Sequence, residues 1–287
     1  MKKLIERLLI FFIGLPAVVV IVMFDFHNHL LLNSVATILS GIGAVEFSSM
    51  IKKKNINIHA LESMVLGMLA PLMLTLTISF YLPEWIIPAI VMTSALWVLF
   101  SGIFTRASEI ENITLKVIGR FSLIVYPGLF MFWLIKMTIW GNNFAILLFL
   151  FMIFASDSTA WLFGSLFGKN NRGIAAVSPN KSIMGFIGGL LGPVIVAVLT
   201  AIFLPSAFPA TDAQPSTMIF FAAVIGFVTG IAAILGDLSE SAIKRSCDFK
   251  DSGNLMLGRG GVLDSIDSIA VAAPVFYLFF TYIFLLI

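Results

Sequence analysis

The sequence predicts an all-α protein that crosses a membrane many times, and three observations carry that prediction. Hydrophobic residues fill 60% of the 287 positions and charged residues only 11%, with a mean hydropathy of +1.06. A soluble domain carries about 25% charged residues, so this composition does not supply a water-exposed surface. A single very large soluble core is no way out, because such cores stop growing near this length. The apolar residues also come in runs of the ~20 residues needed to cross a bilayer. Finally, the basic residues fall on one side of the topology those runs imply.

In chain order, the first residues, Met1-Lys2-Lys3-Leu4-Ile5-Glu6-Arg7, precede an apolar run to Phe24 and look like a signal peptide. The run is longer than a typical signal core and no small-x-small cleavage site follows it, so an uncleaved first span over 8–24 is expected. Eight further spans are expected over 30–50, 61–82, 85–104, 118–137, 143–165, 183–204, 217–238 and 267–287, about nine in total. Short links carry turn residues, among them Tyr81-Leu82-Pro83-Glu84 and Trp140-Gly141-Asn142-Asn143. With the N-terminus inside and nine crossings, Lys136 is the one member of the 17 Lys and Arg residues near the outer face. That asymmetry is what the positive-inside rule demands, and it places the C-terminus outside. The outer loop 204–216 has two prolines, Pro209 and Pro215, flanking its Thr-Asp-Ala-Gln stretch and no basic residue, whereas the inner loops 164–181 and 244–264 are rich in Gly and charge.

The three histidines, His27, His29 and His59, lie far from the most polar stretch, and Cys247 is the single cysteine. A disulfide framework, a cysteine-ligated metal and a His-ligated zinc centre are therefore not expected. What chemistry the chain has is concentrated in Gly236–Asp267. If the eighth span continues as helix, Asp237, Glu240, Ser241 and Lys244 fall at i, i+3, i+4 and i+7 on one face. A snorkelling helix end explains Lys244 and Arg245 but explains Asp237 poorly. Lys250-Asp251-Ser252-Gly253 and Gly258-Arg259-Gly260-Gly261 follow, and such glycines let backbone N–H groups approach phosphate oxygens. Asp264 and Asp267, three apart at the start of the last span, put two carboxylates on one helix face. Oxygen-only ligands suit Mg²⁺, which substrate phosphates would share. Helix capping accounts for Asp264 alone, so metal-assisted handling of a phosphate ester is the better reading.

Two upstream features join this stretch. Asp157 interrupts an apolar run, and an ionisable residue within a span usually faces a polar cavity; a hydrated or paired carboxylate near the inner face is the plainer alternative. Ser178-Pro179-Asn180-Lys181-Ser182, followed by Gly185 and Gly188-Gly189, lies on the same inner side. These glycines are equally suited to close helix packing.

These motifs resemble those of the phosphatidate cytidylyltransferases, also called CDP-diacylglycerol synthases. The family pattern runs Ser-x-apolar-Lys-Arg, four residues, Lys-Asp-x-Gly/Ser/Ala, then His-Gly-Gly-apolar-x-Asp-Arg-apolar-Asp. Here it reads Ser241-Ala242-Ile243-Lys244-Arg245, Lys250-Asp251-Ser252-Gly253 and Arg259-Gly260-Gly261-Val262-Leu263-Asp264-Ser265-Ile266-Asp267, with the spacing kept. Asp157-Ser158, with Gly164, Gly168 and Lys169, and the Ser178–Gly185 segment resemble two further family motifs. The likeness covers about residues 150–287, and the N-terminal half matches in hydropathy only. With no internal repeat or low-complexity tract, a single membrane domain is expected over 1–287; the resemblance places catalytic helices and loops in 141–287, after N-terminal membrane helices over 1–140.

It also implies cytidylyl transfer from CTP to phosphatidic acid, with Mg²⁺ as cofactor and room for a second cation. Asp237, Asp264 and Asp267 would organise the metal, with Ser241 and Lys244 beside them in catalysis. Asp157, Ser178, Lys181, Ser182, Arg245, Lys250, Asp251, Arg259, Gly260 and Gly261 would contact the substrates. The partners implied are CTP, phosphatidic acid and the lipid bilayer, with room for a homodimer and with no nucleic acid. By analogy the membrane is the inner, cytoplasmic one, with the active site on its cytoplasmic side. Four positions depart from the family: Arg259 stands for His, Ser265 for Arg, Met184 for Glu and Leu257 for Pro. Arg259 cannot exchange a proton near neutral pH as a His would. All the carboxylates are kept, which favours an active enzyme over a weakened paralogue. A transporter is the rival reading for Asp157 and Asp237, but the polar residues sit in the last third alone. A CDP-alcohol phosphotransferase would need Gly-x-x-Ala-Arg after the first Asp-x-x-Asp, and here Ser268-Ile269 follows.

Overall fold

The structure is a computed structural model and describes residues 10–104, 107–209, 213–256 and 260–283. Its elements are α1 (Leu15–Met23), α2 (Phe26–Ile51), α3 (Ala60–Phe80), α4 (Ile86–Ser101), α5 (Ile113–Leu123) and α6 (Phe130–Lys136), then α7 (Asn143–Phe167), α8 (Ile183–Phe203), α9 (Pro215–Ser246) and α10 (Leu263–Ile283). Among the described residues no strand occurs, only isolated bridges from Arg172 to Ser182 and from Met256 to Gly260. Among the described residues eight helical stretches are long and apolar enough to cross a membrane, so the chain is an all-α, multi-pass membrane protein. Where the sequence predicts a first span over 8–24, the described residues form only the shorter apolar helix Phe12–Met23. Residues 8 and 9 of that predicted span lie outside the described residues. The span expected over 118–137 is longer than predicted, Ile110–Trp140, and is broken in the middle at Pro127.

Local chemistry explains the helix ends. Tyr81, with φ +53°, closes α3 in the left-handed conformation within the predicted Tyr81–Glu84 turn. Asn142 accepts the Ala145 N–H (3.1 Å) and so caps α7. Ser182 does the same for α8, accepting the Gly185 N–H at 3.1 Å.

The chain forms two compact units, Met1–Ile139 with Ser246–Ile266, and Trp140–Arg245 with Asp267–Ile287. In the first unit α2 and α3 meet through small residues: a side chain on Gly67 would collide with Ala44, and one on Gly41 with Met68. Pro71 sits inside α3 and cannot donate to the carbonyl four residues back, that of Gly67. The Ser40 hydroxyl on α2 donates to this carbonyl instead, at 2.7 Å. Around this seam lie buried Ala36, Leu66, Ala70, Leu74, Met131 and Ile135. Across α4, by contrast, Met92, Trp97, Leu99 and Phe100 are exposed, the surface that lipid tails solvate.

The second unit repeats the device. Pro193 inside α8 frees the Gly189 carbonyl, and the Ser156 hydroxyl on α7 donates to it at 2.8 Å. Thr159 donates to the neighbouring Gly188 carbonyl at 2.6 Å. Side chains at Gly188, Gly192 and Gly226 would run into the backbones of Thr159, Ala155 and Pro193, respectively. The glycines after Ser182 thus serve close packing. At Gly236 the backbone of Asp267 occupies the missing side chain's place, which brings α9 and α10 into direct contact. Trp140 stacks on Tyr277 at 5.0 Å, and Phe149 and Phe280 both pack against Phe276.

Ser156→Ala should lower unfolding free energy in detergent micelles by about 1–2 kcal/mol, since it strands a buried carbonyl. In a Pro193→Ala background the loss should nearly vanish, because the restored N–H at position 193 bonds the Gly189 carbonyl. Equal losses in both backgrounds would contradict this account.

Candidate functional site

Helix α9 continues unbroken to Ser246, so Asp237, Glu240, Ser241 and Lys244 do share a face. Asp237 is partly exposed, and its Oδ2 meets Lys181 Nζ at 2.5 Å. The Ser241 hydroxyl donates to its Oδ1 at a long 3.4 Å. The Lys181 loop and the end of α9 are therefore joined. One turn on, Glu240 is wholly buried and pairs with Lys244, Oε2 to Nζ, at 2.5 Å. Neither partner is solvated as a snorkelling helix end would be. Asp267 is 7% exposed, and its Oδ1 accepts the Ser268 N–H at 2.6 Å. Asp237, Glu240 and Asp157 lie within electrostatic range of Asp267, so four carboxylates share one field in the second unit.

That field bears on whether a divalent cation fits. Like charges crowded around a buried carboxylate are unfavourable unless cations offset them. Lys181 and Lys244 offset two of the four. The donors are oxygen only, as Mg²⁺ prefers. Among the described residues, however, no three acidic, His or Cys side chains converge on one point. The chemistry of the donor set fits a hard cation.

The remaining signature residues belong to the first unit. Asp264 is half-buried on the first turn of α10. Its Oδ2 accepts from the Ser252 N–H (2.8 Å), the Ser252 hydroxyl (2.9 Å) and the Gly261 N–H (2.7 Å). Asp264 therefore does reach back as a cap, but it also ties together two halves of the signature. Gly260, at φ +102°, takes a conformation that a side chain would strain, and the Met256–Gly260 bridge closes this loop. A side chain on Gly261 would meet the Ser252 hydroxyl and Glu46. Its N–H is directed at a carboxylate of the chain, so the close approach the glycine permits is made by protein oxygens.

Other predicted residues fall on the periphery. Ser178 sits in a turn in which its carbonyl accepts the Lys181 N–H at 3.1 Å. Ser182 is buried, with its hydroxyl engaged as the α8 cap. Arg245, Lys250 and Asp251 are exposed, as is Asp157 on α7. Arg259 lies outside the described residues.

Two acids were missed by sequence reasoning as site residues. Glu240 was noted only as sharing the Asp237 face. Glu46, on α2, is 7% exposed. It accepts the Val262 N–H on Oε1 (3.0 Å), and the Leu263 N–H (2.8 Å) and Ser252 hydroxyl (3.1 Å) on Oε2. The signal for Glu46 was present: a carboxylate inside the apolar run 30–50, the same cue that singled out Asp157.

Comparison with known proteins agrees with the motif reading. The model of a family described as the cytidylyltransferase family matches residues 5–283. A phosphatidate cytidylyltransferase of Chlamydia pneumoniae is 32% identical over 198 residues, 64% of this chain and 60% of that protein. The namesake enzyme of Synechocystis sp. is 27% identical over 266 residues, covering 83% of this chain and 84% of its own. That of Haemophilus influenzae is 36% identical over 144 residues, 48% and 46% of the two chains. The chain thus spans less than two thirds of the length of some of these relatives and most of another.

Lys244→Met should destabilise the protein by about 3–5 kcal/mol, because it leaves the Glu240 carboxylate buried without its cation. Adding Glu240→Gln should restore most of that loss in equilibrium unfolding. If the double variant is as unstable as the single one, the pair is not what makes the site stable.

Proposed function

The chain belongs to the cytidylyltransferase family, and on that premise we propose that it transfers a cytidylyl group from CTP to phosphatidic acid. The products are CDP-diacylglycerol and pyrophosphate, made for phospholipid biosynthesis. The observation that carries this reading is the contact of Lys181 with Asp237, which joins two sequence motifs of the family beside buried Asp267. An anionic oxygen of phosphatidate attacks the α-phosphorus of CTP and forms a phosphoanhydride. The bond from that phosphorus to the oxygen bridging to the β-phosphate breaks, and pyrophosphate leaves with the electron pair. The nucleophile is already ionised, so no strong general base is required.

Asp237 and Asp267 would hold Mg²⁺ in the second unit, with room for a second cation, and Asp264 would serve as a functional carboxylate of the signature turn. Bound there, Mg²⁺ supplies charge neutralisation at the phosphate oxygens. Lys181, Lys244, Arg245 and Ser241 bind and orient phosphates, and Arg259 adds a permanent positive charge. Ser182 acts indirectly, fixing the entry of α8 so that Lys181 reaches Asp237. The apolar face of the spans receives the acyl chains of the lipid substrate directly from the bilayer.

The active face is the cytoplasmic face of an inner membrane in this reading. The bias of Lys and Arg toward the loops following α2, α4, α7 and α9 supports it. That bias does not depend on whether residues 8–24 cross the bilayer.

Purified protein in detergent, given Mg²⁺, CTP and phosphatidic acid, should release pyrophosphate and form CDP-diacylglycerol. Absence of turnover across acyl chains, nucleotides and divalent metals would overturn the proposal. In the active protein, Asp264→Asn and Asp267→Asn should each lower kcat by on the order of 10²–10³-fold. Full activity in either variant would remove that residue from the functional carboxylates.

A further inference from the structure

We infer that Glu46, in the N-terminal half of the chain and outside the family signature, is a positioning residue for the signature turn. It acts through Ser252 and the first turn of α10 to set the carboxylate of Asp264. The inference rests on the reading of Asp264 as a functional carboxylate and adds a residue to that site.

The geometry is a knot of two carboxylates. Glu46 accepts the backbone N–H groups of Val262 and Leu263, and Asp264 accepts those of Ser252 and Gly261. The two acids meet at one hydroxyl. Ser252 Oγ lies 3.1 Å from Glu46 Oε2 and 2.9 Å from Asp264 Oδ2, and it accepts the Asp264 N–H at 3.2 Å. A hydroxyl has a single proton to donate, so the two carboxylates share it, and a change at one alters what the other receives.

Glu46 also does the work of a helix cap. Val262 and Leu263 open α10, where the first N–H groups have no partner within the helix and the dipole favours negative charge. The acid comes from another helix, far away in sequence. Side chains at Gly253 or Gly261 would collide with its oxygens, so two signature glycines are explained by this one carboxylate. A charge-assisted bond to backbone N–H groups in a water-poor setting is stronger than a neutral one. A clamp of this kind therefore holds the turn in a single register.

The consequence for chemistry is positional. Misplacing a reacting group by about 1 Å can cost on the order of 10²-fold in rate. Glu46 touches no part of the substrate in this account, so its loss should act on kcat and leave substrate affinity nearly intact.

The test uses full-length protein in detergent micelles, with Glu46→Gln, Ser252→Ala and the double variant. Hydrogen exchange is read first, because it does not depend on turnover. In Glu46→Gln the amides of Val262 and Leu263 should exchange faster by about ten-fold or more. Those of Ser252 and Gly261, which Glu46 does not touch, should accelerate with them, while α7 and α8 keep their protection. Steady-state kinetics should show kcat lowered by about ten-fold or more, with KM for CTP and phosphatidic acid within about three-fold. The double variant should be no worse than the poorer single one, as expected for residues acting in one chain of contacts.

Unchanged exchange at Ser252 and Gly261 would overturn the inference. So would faster exchange with full kcat, or rate losses that multiply in the double variant. If Glu46→Gln does not fold, Ser252→Ala decides, through exchange at Gly261 and the same kcat and KM comparison. Wild-type protein without activity on CTP and phosphatidic acid would count against the proposed reaction, and the exchange result would then decide the clamp alone.

Discussion

Inside a bilayer there is no water to bond a backbone N–H or C=O that a helix leaves over, so every such group must be met by the chain itself. The rest of this structure follows from how that demand is met. Pro71 and Pro193 each free a carbonyl, and Ser40 and Ser156 on neighbouring helices close the gap. Each of these bonds requires the helices to lie almost backbone to backbone, which only small residues such as Gly67, Gly188 and Gly192 permit. The same demand at the start of α10 is met by Glu46 and, from within its own turn, by Asp264.

Charges obey a related constraint. A carboxylate held out of water is tolerated only when cations or donors surround it. Asp237 has Lys181, Glu240 has Lys244, Asp264 has Ser252 and Gly261, and Glu46 has three donors of its own. Within each unit these acids are compensated by partners of that same unit. The chain's membership of the cytidylyltransferase family rests on a match over residues 5–283.

The paired roles of single residues blur the division between structure and chemistry. Asp264 was weighed as either cap or ligand, yet its oxygen receives three donors from both ends of the signature loop while it opens α10. Gly260 and Gly261 were read as openings for phosphate. Gly260 accommodates a positive φ, and Gly261 sits against Glu46 and Ser252. Ser182, read as a phosphate contact, caps α8. In each case the structure shows a partner within the chain that no local pattern specifies.

The run of α9 on to Ser246 came from the structure, whereas the sequence by itself determined the helical, multi-pass class, the positions of most of the long spans and the family. These are legible because hydropathy, helix period and motif spacing are local properties, readable within a window of some twenty residues. Only the tertiary structure decided that Lys181 meets Asp237, that Glu240 is buried against Lys244, and that Glu46 accepts the N–H groups that open α10. The last contact joins residues more than two hundred positions apart. No local pattern specifies which distant acid will satisfy the exposed N–H groups of α10; the packing of the helices does.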